Sequence, residues 1–84
     1  MRQELRKFVI DNFLFGKNGD SFTDDESFLE KGIIDSTGVL ELVAFLQSKY
    51  GLVIQDQDLI PENLDSIDNL VRFAETRLYE KMVK

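Results

Sequence analysis

Residues 32–51 read GIIDSTGVLELVAFLQSKYG and show how one helix of this chain begins and ends. Asp35 and Ser36 are both favoured at helix N-termini, and Gly51 suits the position just after a helix C-terminus. Between them, apolar residues recur at helical spacing. The stretch therefore predicts a helix from about Ser36 to Tyr50. Its core-facing side comprises Val39, Leu42, Val43, Leu46 and Tyr50.

Two further long helices are predicted on either side of this stretch. The first covers about Arg2 to Leu14, and the last runs from Asp65 or Ser66 to about Lys81. Their apolar stripes comprise Leu5, Phe8, Val9 and Phe13 in the first helix and Ile67, Leu70, Val71, Ala74 and Leu78 in the last. Such stripes indicate amphipathic helices that share one core.

The connections between the long helices carry weaker signals. A long connection covers about Phe15 to Asp35, and its segment ESFLEKG predicts one helical turn that stops at Gly32. Its apolar residues, which are suited to packing on the core, are Phe22, Phe28, Leu29, Ile33 and Ile34. The later segment VIQDQDLIPENLD has room for only a short helical turn, capped by Asp56, because Pro61 disfavours helix at the residue before it.

These patterns predict an all-α fold, a small four-helix bundle with three long helices, one short helix and a long first loop. No alternating strand pattern, internal repeat or linker-like tract interrupts the sequence. Residues 1–84 are therefore expected to form a single domain.

The residue types that the chain lacks restrict its chemistry. It has no Cys and no His, which excludes a disulfide framework and disfavours a structural zinc site. An EF-hand calcium loop beginning at Asp56 is also excluded, because Pro61 and Ile67 stand where Gly and Glu are needed. No apolar run approaches the roughly 18 residues of a membrane span, and the N-terminus has no signal-peptide core. We expect a cytoplasmic protein with no metal site and no membrane span.

The acidic charge is unevenly distributed. The net charge is −6, which argues against nucleic-acid binding because phosphates favour clustered Lys and Arg. Residues 18–36 contain six acids against Lys31 alone, and residues 51–68 contain five acids and no base. Such a surface serves solubility, or it guides basic partners to the protein by electrostatic steering. Composition leaves both interpretations open.

Ser36 has three possible roles at the start of the predicted helix. It can cap the helix and do nothing else, although either Asp35 or Ser36 would suffice as the cap and the sequence supplies both. A catalytic nucleophile is disfavoured, because no His is present to activate it and the local string IDSTG lacks the GxSxG elbow. A serine modified by another enzyme needs only exposure, and a phosphate ester there would face the positive end of the helix dipole.

One face of the predicted helix lies beside Ser36 and away from the core stripe. It carries Thr37, Leu40 and Ala44, and Glu41 lies at its edge. An exposed apolar face beside acidic residues is typical of a docking surface.

Two stretches together resemble the acyl carrier protein family. GIIDSTGVLELVAFLQSKYGL, residues 32–52, is similar to the family motif of Asp-Ser followed by an amphipathic helix with Leu-Glu-Leu-Val. VIQDQDLIPENLDSIDNLVRFAETRL, residues 53–78, resembles the third and fourth helices of the same family. The resemblance covers nearly the whole chain, weakly in the first helix and strongly from Phe28 onward.

The resemblance implies a carrier without catalysis of its own, acting as a monomer. Ser36 would hold 4′-phosphopantetheine, transferred from coenzyme A by a phosphopantetheinyl transferase that uses Mg²⁺. Its thiol would hold acyl or aminoacyl groups, supplied by a loading ligase and passed to downstream transferases or synthases. The docking residues implied by the resemblance are Asp35, Thr37, Leu40, Glu41, Ala44, Asp56 and Asp58.

Two residues depart from the family pattern. Thr37 stands where Leu is common, and Gly38 replaces a better helix former at a cost of up to about 1 kcal/mol relative to Ala. With the PENLDS element, these departures resemble carriers of specialised pathways, including aminoacyl and D-alanyl carriers. The alternative from another class is a non-catalytic scaffolding or regulatory module that binds basic partners and never receives phosphopantetheine.

Overall fold

The computed structural model describes residues 1–14 and 22–82. Across these residues the fold is all helical, with five α-helices of which three are long and no strand. The long helices are α1 (Arg2–Phe13), α3 (Ser36–Tyr50) and α5 (Ile67–Met82); the short ones are α2 (Phe28–Lys31) and α4 (Pro61–Leu64). This confirms the all-α prediction and its three long helices. The start of the predicted long loop, including Phe15, lies outside the described residues.

The segment between α3 and α4 differs from the prediction. It forms a 3-10 turn over Asp56–Asp58 and then α4, so there are two short helical elements rather than one. Gln55 precedes the turn, and its N–H donates to the Asp58 carboxylate at 2.9 Å; Asp56 lies inside the turn and does not cap it. As predicted, the residue before Pro61 is not helical. Pro61 itself begins α4, because its fixed φ suits the first position of a helix.

The three long helices bury their predicted stripes against one another. The fully buried side chains of these helices include Leu5, Val9, Leu42, Leu46, Ile67 and Leu70. Helix α3 ends at Gly51, and α2 ends at Gly32; both glycines have positive φ, of 66° and 68°. Glycine adopts this left-handed conformation without a steric penalty, so both helix stops were readable from the sequence.

The connection that precedes α3 packs on the core through three apolar side chains. Phe22, Phe28 and Ile34 are each at most 3% exposed, whereas Leu29, also expected there, is 50% exposed. Arg6 of α1 holds the described start of this connection. Its guanidinium stands 4.4 Å above the Phe22 ring and donates to the Asp24 carboxylate at 2.7 Å.

Helices α1 and α3 are also joined by a polar contact at the end of α3. The Tyr50 hydroxyl donates to Glu4 at 3.1 Å, and Lys49 forms an ion pair with the same carboxylate at 3.2 Å. The contact with Lys49 is the main cause that lowers the pKa of Glu4, and the hydrogen bond from Tyr50 is the second. Burial, helped by the hydrogen bond to Glu4, raises the pKa of Tyr50 to about 12.

The raised pKa of Tyr50 should make the free energy of unfolding decrease at alkaline pH. Above the ordinary Tyr pKa of 10.0 the unfolded chain loses a proton that the folded protein keeps until about pH 12. The contribution is present in full below pH 10.0 and is lost as the pH rises towards 12. We expect urea unfolding from pH 8 to 11.5 to show a steeper loss in wild type than in Tyr50→Phe.

Tyr79→Phe provides the matched control for this measurement, because Tyr79 is 65% exposed on α5. It should keep the wild-type pH dependence. Parallel curves for wild type and Tyr50→Phe would contradict the assignment.

Candidate functional site

Ser36 is the first residue of α3, and the residue before it makes the helix cap. The Asp35 carboxylate accepts a hydrogen bond from the Gly38 N–H at 2.7 Å. The Ser36 side chain is exposed. Because Asp35 performs the capping role, the helix fixes the position of Ser36 without using its hydroxyl as the cap.

Gly38 allows close packing directly beneath Ser36. The residue is buried, and a Cβ atom there would lie 2.7 Å from Phe13 Cε1 and 2.9 Å from Ile34 Cγ2. Both distances are too short for a methyl group unless the neighbouring side chains shift. Glycine has a low helix propensity, which costs stability at this position. The cost is offset because α1 and the connection before α3 can pack closely against the first turn of α3.

An apolar cleft of about 260 Å³ opens beside Ser36. It lies between α2, the first turns of α3 and the segment around α4. Its lining comprises Phe28, Leu29, Ile34, Ser36, Val39, Leu40, Leu59, Ile60, Pro61, Leu64 and Asp65. Apolar cavities of about 150 Å³ hold a benzene-sized ligand, so this cleft has room for an apolar group. Sequence periodicity did not reveal it, since its walls come from three separate segments.

Of the predicted docking residues, Leu40 lines this cleft. Thr37, Glu41 and Ala44 are exposed with Asp35, and Leu40 is 60% exposed. Two residues that the sequence did not assign to docking add exposed apolar surface to the cleft: Leu29, and Ile60 at 42% exposure. Asp56, from the 3-10 turn, is also exposed.

Asp58 is different, and its predicted docking role is corrected. The residue is only 5% exposed, and its carboxylate accepts hydrogen bonds from Arg77 and from the Gln55 N–H. The Arg77 guanidinium also stands 5.1 Å above the Phe73 ring. The exposure that docking requires is absent, and Asp58 instead joins the 3-10 turn to α5.

Comparison with curated proteins identifies similar chains. This chain is 33% identical over 63 residues to the acyl carrier protein of Exiguobacterium sp. (strain ATCC BAA-1283 / AT1b). It is 35% identical over 63 residues to that of Exiguobacterium sibiricum (strain DSM 17290 / CCUG 55495 / CIP 109462 / JCM 13490 / 255-15). Each alignment covers 75% of this chain and 77% of the relative. The chain belongs to the acyl carrier protein family. No protein-family model matches the chain.

Membership of the acyl carrier protein family confirms the resemblance carried by residues 32–78. It also confirms that this protein is a carrier and not an enzyme. The scaffolding alternative is not favoured by these relatives.

In residues 1–14 and 22–82, no group of three or more His, Cys, Asp or Glu is placed to hold a metal ion. Over the same part of the chain, every helix falls short of the length and apolar character that crossing a membrane requires.

Proposed function

We propose that this acyl carrier protein holds 4′-phosphopantetheine on Ser36 and presents acyl or aminoacyl thioesters to partner enzymes. The observation that carries the proposal is an exposed serine at the start of α3, at the mouth of an apolar cleft. When bound, the group supplies the thiol that forms the thioester, and the chain has no Cys of its own.

The residues around Ser36 suit a phosphate ester. The first N–H groups of a helix have no partner within the helix, and the helix dipole is positive at this end. Asp35 takes up one of these groups, the Gly38 N–H, and keeps the first turn in place. The modifying enzyme would supply the base for the transfer, so the absence of His in this chain is no obstacle.

The cleft suits an apolar cargo held close to its attachment point. Ser36 and Asp65 are the polar residues of a lining that is otherwise apolar. Removing an apolar chain from water contributes about 0.8 kcal/mol for each buried CH₂ group. Partial shelter of the cargo in this cleft would therefore stabilise the loaded protein between encounters.

The exposed face beside the cleft suits transient docking of the transferase, the loading ligase and the downstream enzymes. Its apolar part is formed by Leu40 with Leu29 and Ile60, and its acids are Asp35 and Glu41. Complementary charge raises the rate of encounter more than the lifetime of the complex. A carrier that visits several enzymes needs this combination of fast association and fast release.

Glu41→Lys should slow transfer to a partner enzyme by about tenfold, because rim charges act mainly on the association rate. Glu41 is exposed, so the helical circular dichroism should stay unchanged. Transfer rates at low and high salt provide the measurement, and the difference from wild type should shrink at high salt.

Glu75→Lys is the matched control, since it makes the same charge change at an exposed position of α5. Equal slowing by both variants would attribute the effect to net charge and contradict docking through α3. Loss of helicity in Glu41→Lys would show that Glu41 has a structural role.

The proposal is tested by incubating the protein with coenzyme A, Mg²⁺ and a broad-specificity phosphopantetheinyl transferase. Intact mass should increase by one phosphopantetheine group. No increase, with a transferase that modifies another carrier in parallel, would reject the proposal and favour the scaffolding alternative.

A further inference from the structure

One wall of the apolar cleft is held in place by a single acidic residue. Asp65 lies between α4 and α5, and it makes three hydrogen bonds to the segment that begins α2. Its carboxylate accepts from the Ser27 hydroxyl and, at 3.0 Å, from the Leu29 N–H. Its backbone carbonyl accepts from the Phe28 N–H at 2.8 Å. We call these three bonds the Asp65 latch.

The part of the chain that the latch holds is small. Helix α2 has four residues, which is too short to be stable by its own hydrogen bonds. Phe28 is buried in the core, but Leu29 next to it is 50% exposed. The position of α2 therefore depends on the Phe28 side chain, on the latch and on the attachments of its flanks. These are the Asp24 carbonyl, which accepts from the Asp68 N–H at 2.9 Å, and the buried Ile34.

The latch acts directly on the cleft. Phe28 and Leu29 form one wall, Leu64 and Asp65 lie on the other side, and the latch joins the two. The Asp65 carboxylate lies in an otherwise apolar lining because it accepts hydrogen bonds from Ser27 and Leu29 at the start of α2. A change in these bonds would alter the width of the cleft without disturbing the buried residues of α3 and α5.

We propose that the Asp65 latch sets the opening of the apolar cleft, so that its release moves α2 away from α4 and admits a larger apolar group. The relevance to cargo rests on the proposed function. The movement itself is a property of the unmodified chain and is measured there.

Asp65→Ala tests the latch through the Phe28 amide. The acceptor of this amide is the backbone carbonyl of residue 65, which the substitution keeps. Faster exchange of the Phe28 N–H therefore reports separation of α2 and not the loss of its acceptor. We expect hydrogen exchange followed by NMR to be at least about tenfold faster than in wild type, because hydrogen bonds to a charged carboxylate are strong.

Asp68→Ala is the matched control. It removes the same charge three residues further on, where the side chain binds Arg2 and makes no contact with α2 in the described hydrogen bonds. The Phe28 amide should exchange in this variant within about twofold of wild type, as should the Leu46 and Leu70 amides in both variants. Binding of the apolar dye anilinonaphthalene sulfonate should increase in Asp65→Ala alone.

Three results would overturn the latch. The Phe28 amide could exchange equally fast in both variants, the Leu46 and Leu70 amides of Asp65→Ala could be accelerated as much as its Phe28 amide, or Asp65→Ala could bind no more dye than wild type. If Asp65→Ala does not fold, Asp65→Asn decides by the same readouts, since it keeps the size of the side chain and removes the charge that strengthens its two bonds of the latch. These measurements use protein without a prosthetic group. Their failure is therefore distinct from a failure of Ser36 to accept phosphopantetheine.

Discussion

Ser36→Ala is expected to abolish loading of this protein with phosphopantetheine completely. The hydroxyl oxygen is the atom that would form the phosphate ester, and alanine provides no substitute. Because Asp35 makes the helix cap, the substitution should leave α3 folded. Intact-mass spectrometry after incubation with coenzyme A, Mg²⁺ and the transferase should show full conversion of wild type and none of the variant. Circular dichroism checks that helicity is retained.

Ser48→Ala provides the matched control, because Ser48 is also an exposed serine of α3. It should be loaded as completely as wild type. A mass increase that persists in Ser36→Ala would show that another residue is modified. Loss of loading in both variants would indicate that the transferase requires the helix surface as a whole.

The limits of α3 could be predicted because they depend on neighbouring residues. An acceptor side chain at Asp35 and a left-handed glycine at Gly51 define the two ends through bonds within a few residues. The same holds for the turn that stops at Gly32. Ser36 was found in the same way, from its place at the head of the helix.

The cleft and the role of Gly38 could not be predicted because they depend on distant segments. Gly38 seemed unfavourable by helix propensity, yet its missing side chain makes room for Phe13 and Ile34. The cleft requires α2, the first turns of α3 and the segment around α4 to come together, and no local pattern gives that arrangement. Periodicity describes which face of a helix is buried, and it does not describe what covers that face.

The assignment of Asp58 to the docking surface was wrong for a related reason. Asp56 and Asp58 look equivalent in a segment of five acids and no bases, residues 51–68. Their difference comes from Arg77, nineteen residues further along the chain, whose guanidinium meets Asp58 and not Asp56. A single sequence contains no signal for such a pairing.

Asp58→Ala should lower the free energy of unfolding by about 2 kcal/mol, since it leaves the Gln55 N–H without its acceptor and Arg77 with only the longer contact to Glu80 at 3.9 Å. We place the value below the range for fully buried ion pairs because the Arg77 side chain is 32% exposed. For a chain of this size, the melting temperature should fall by about 10 °C. Urea and thermal unfolding, followed by circular dichroism, provide the measurement.

Asp56→Ala separates this structural role from docking. Asp56 is exposed in the same 3-10 turn, so its removal should change the free energy of unfolding by less than about 0.5 kcal/mol. Any effect of Asp56→Ala on transfer by partner enzymes would then come from the surface itself. An effect of Asp58→Ala on transfer should disappear when both proteins are compared far below their melting temperatures. Equal stability of the two variants would contradict the assignment of Asp58 to the fold.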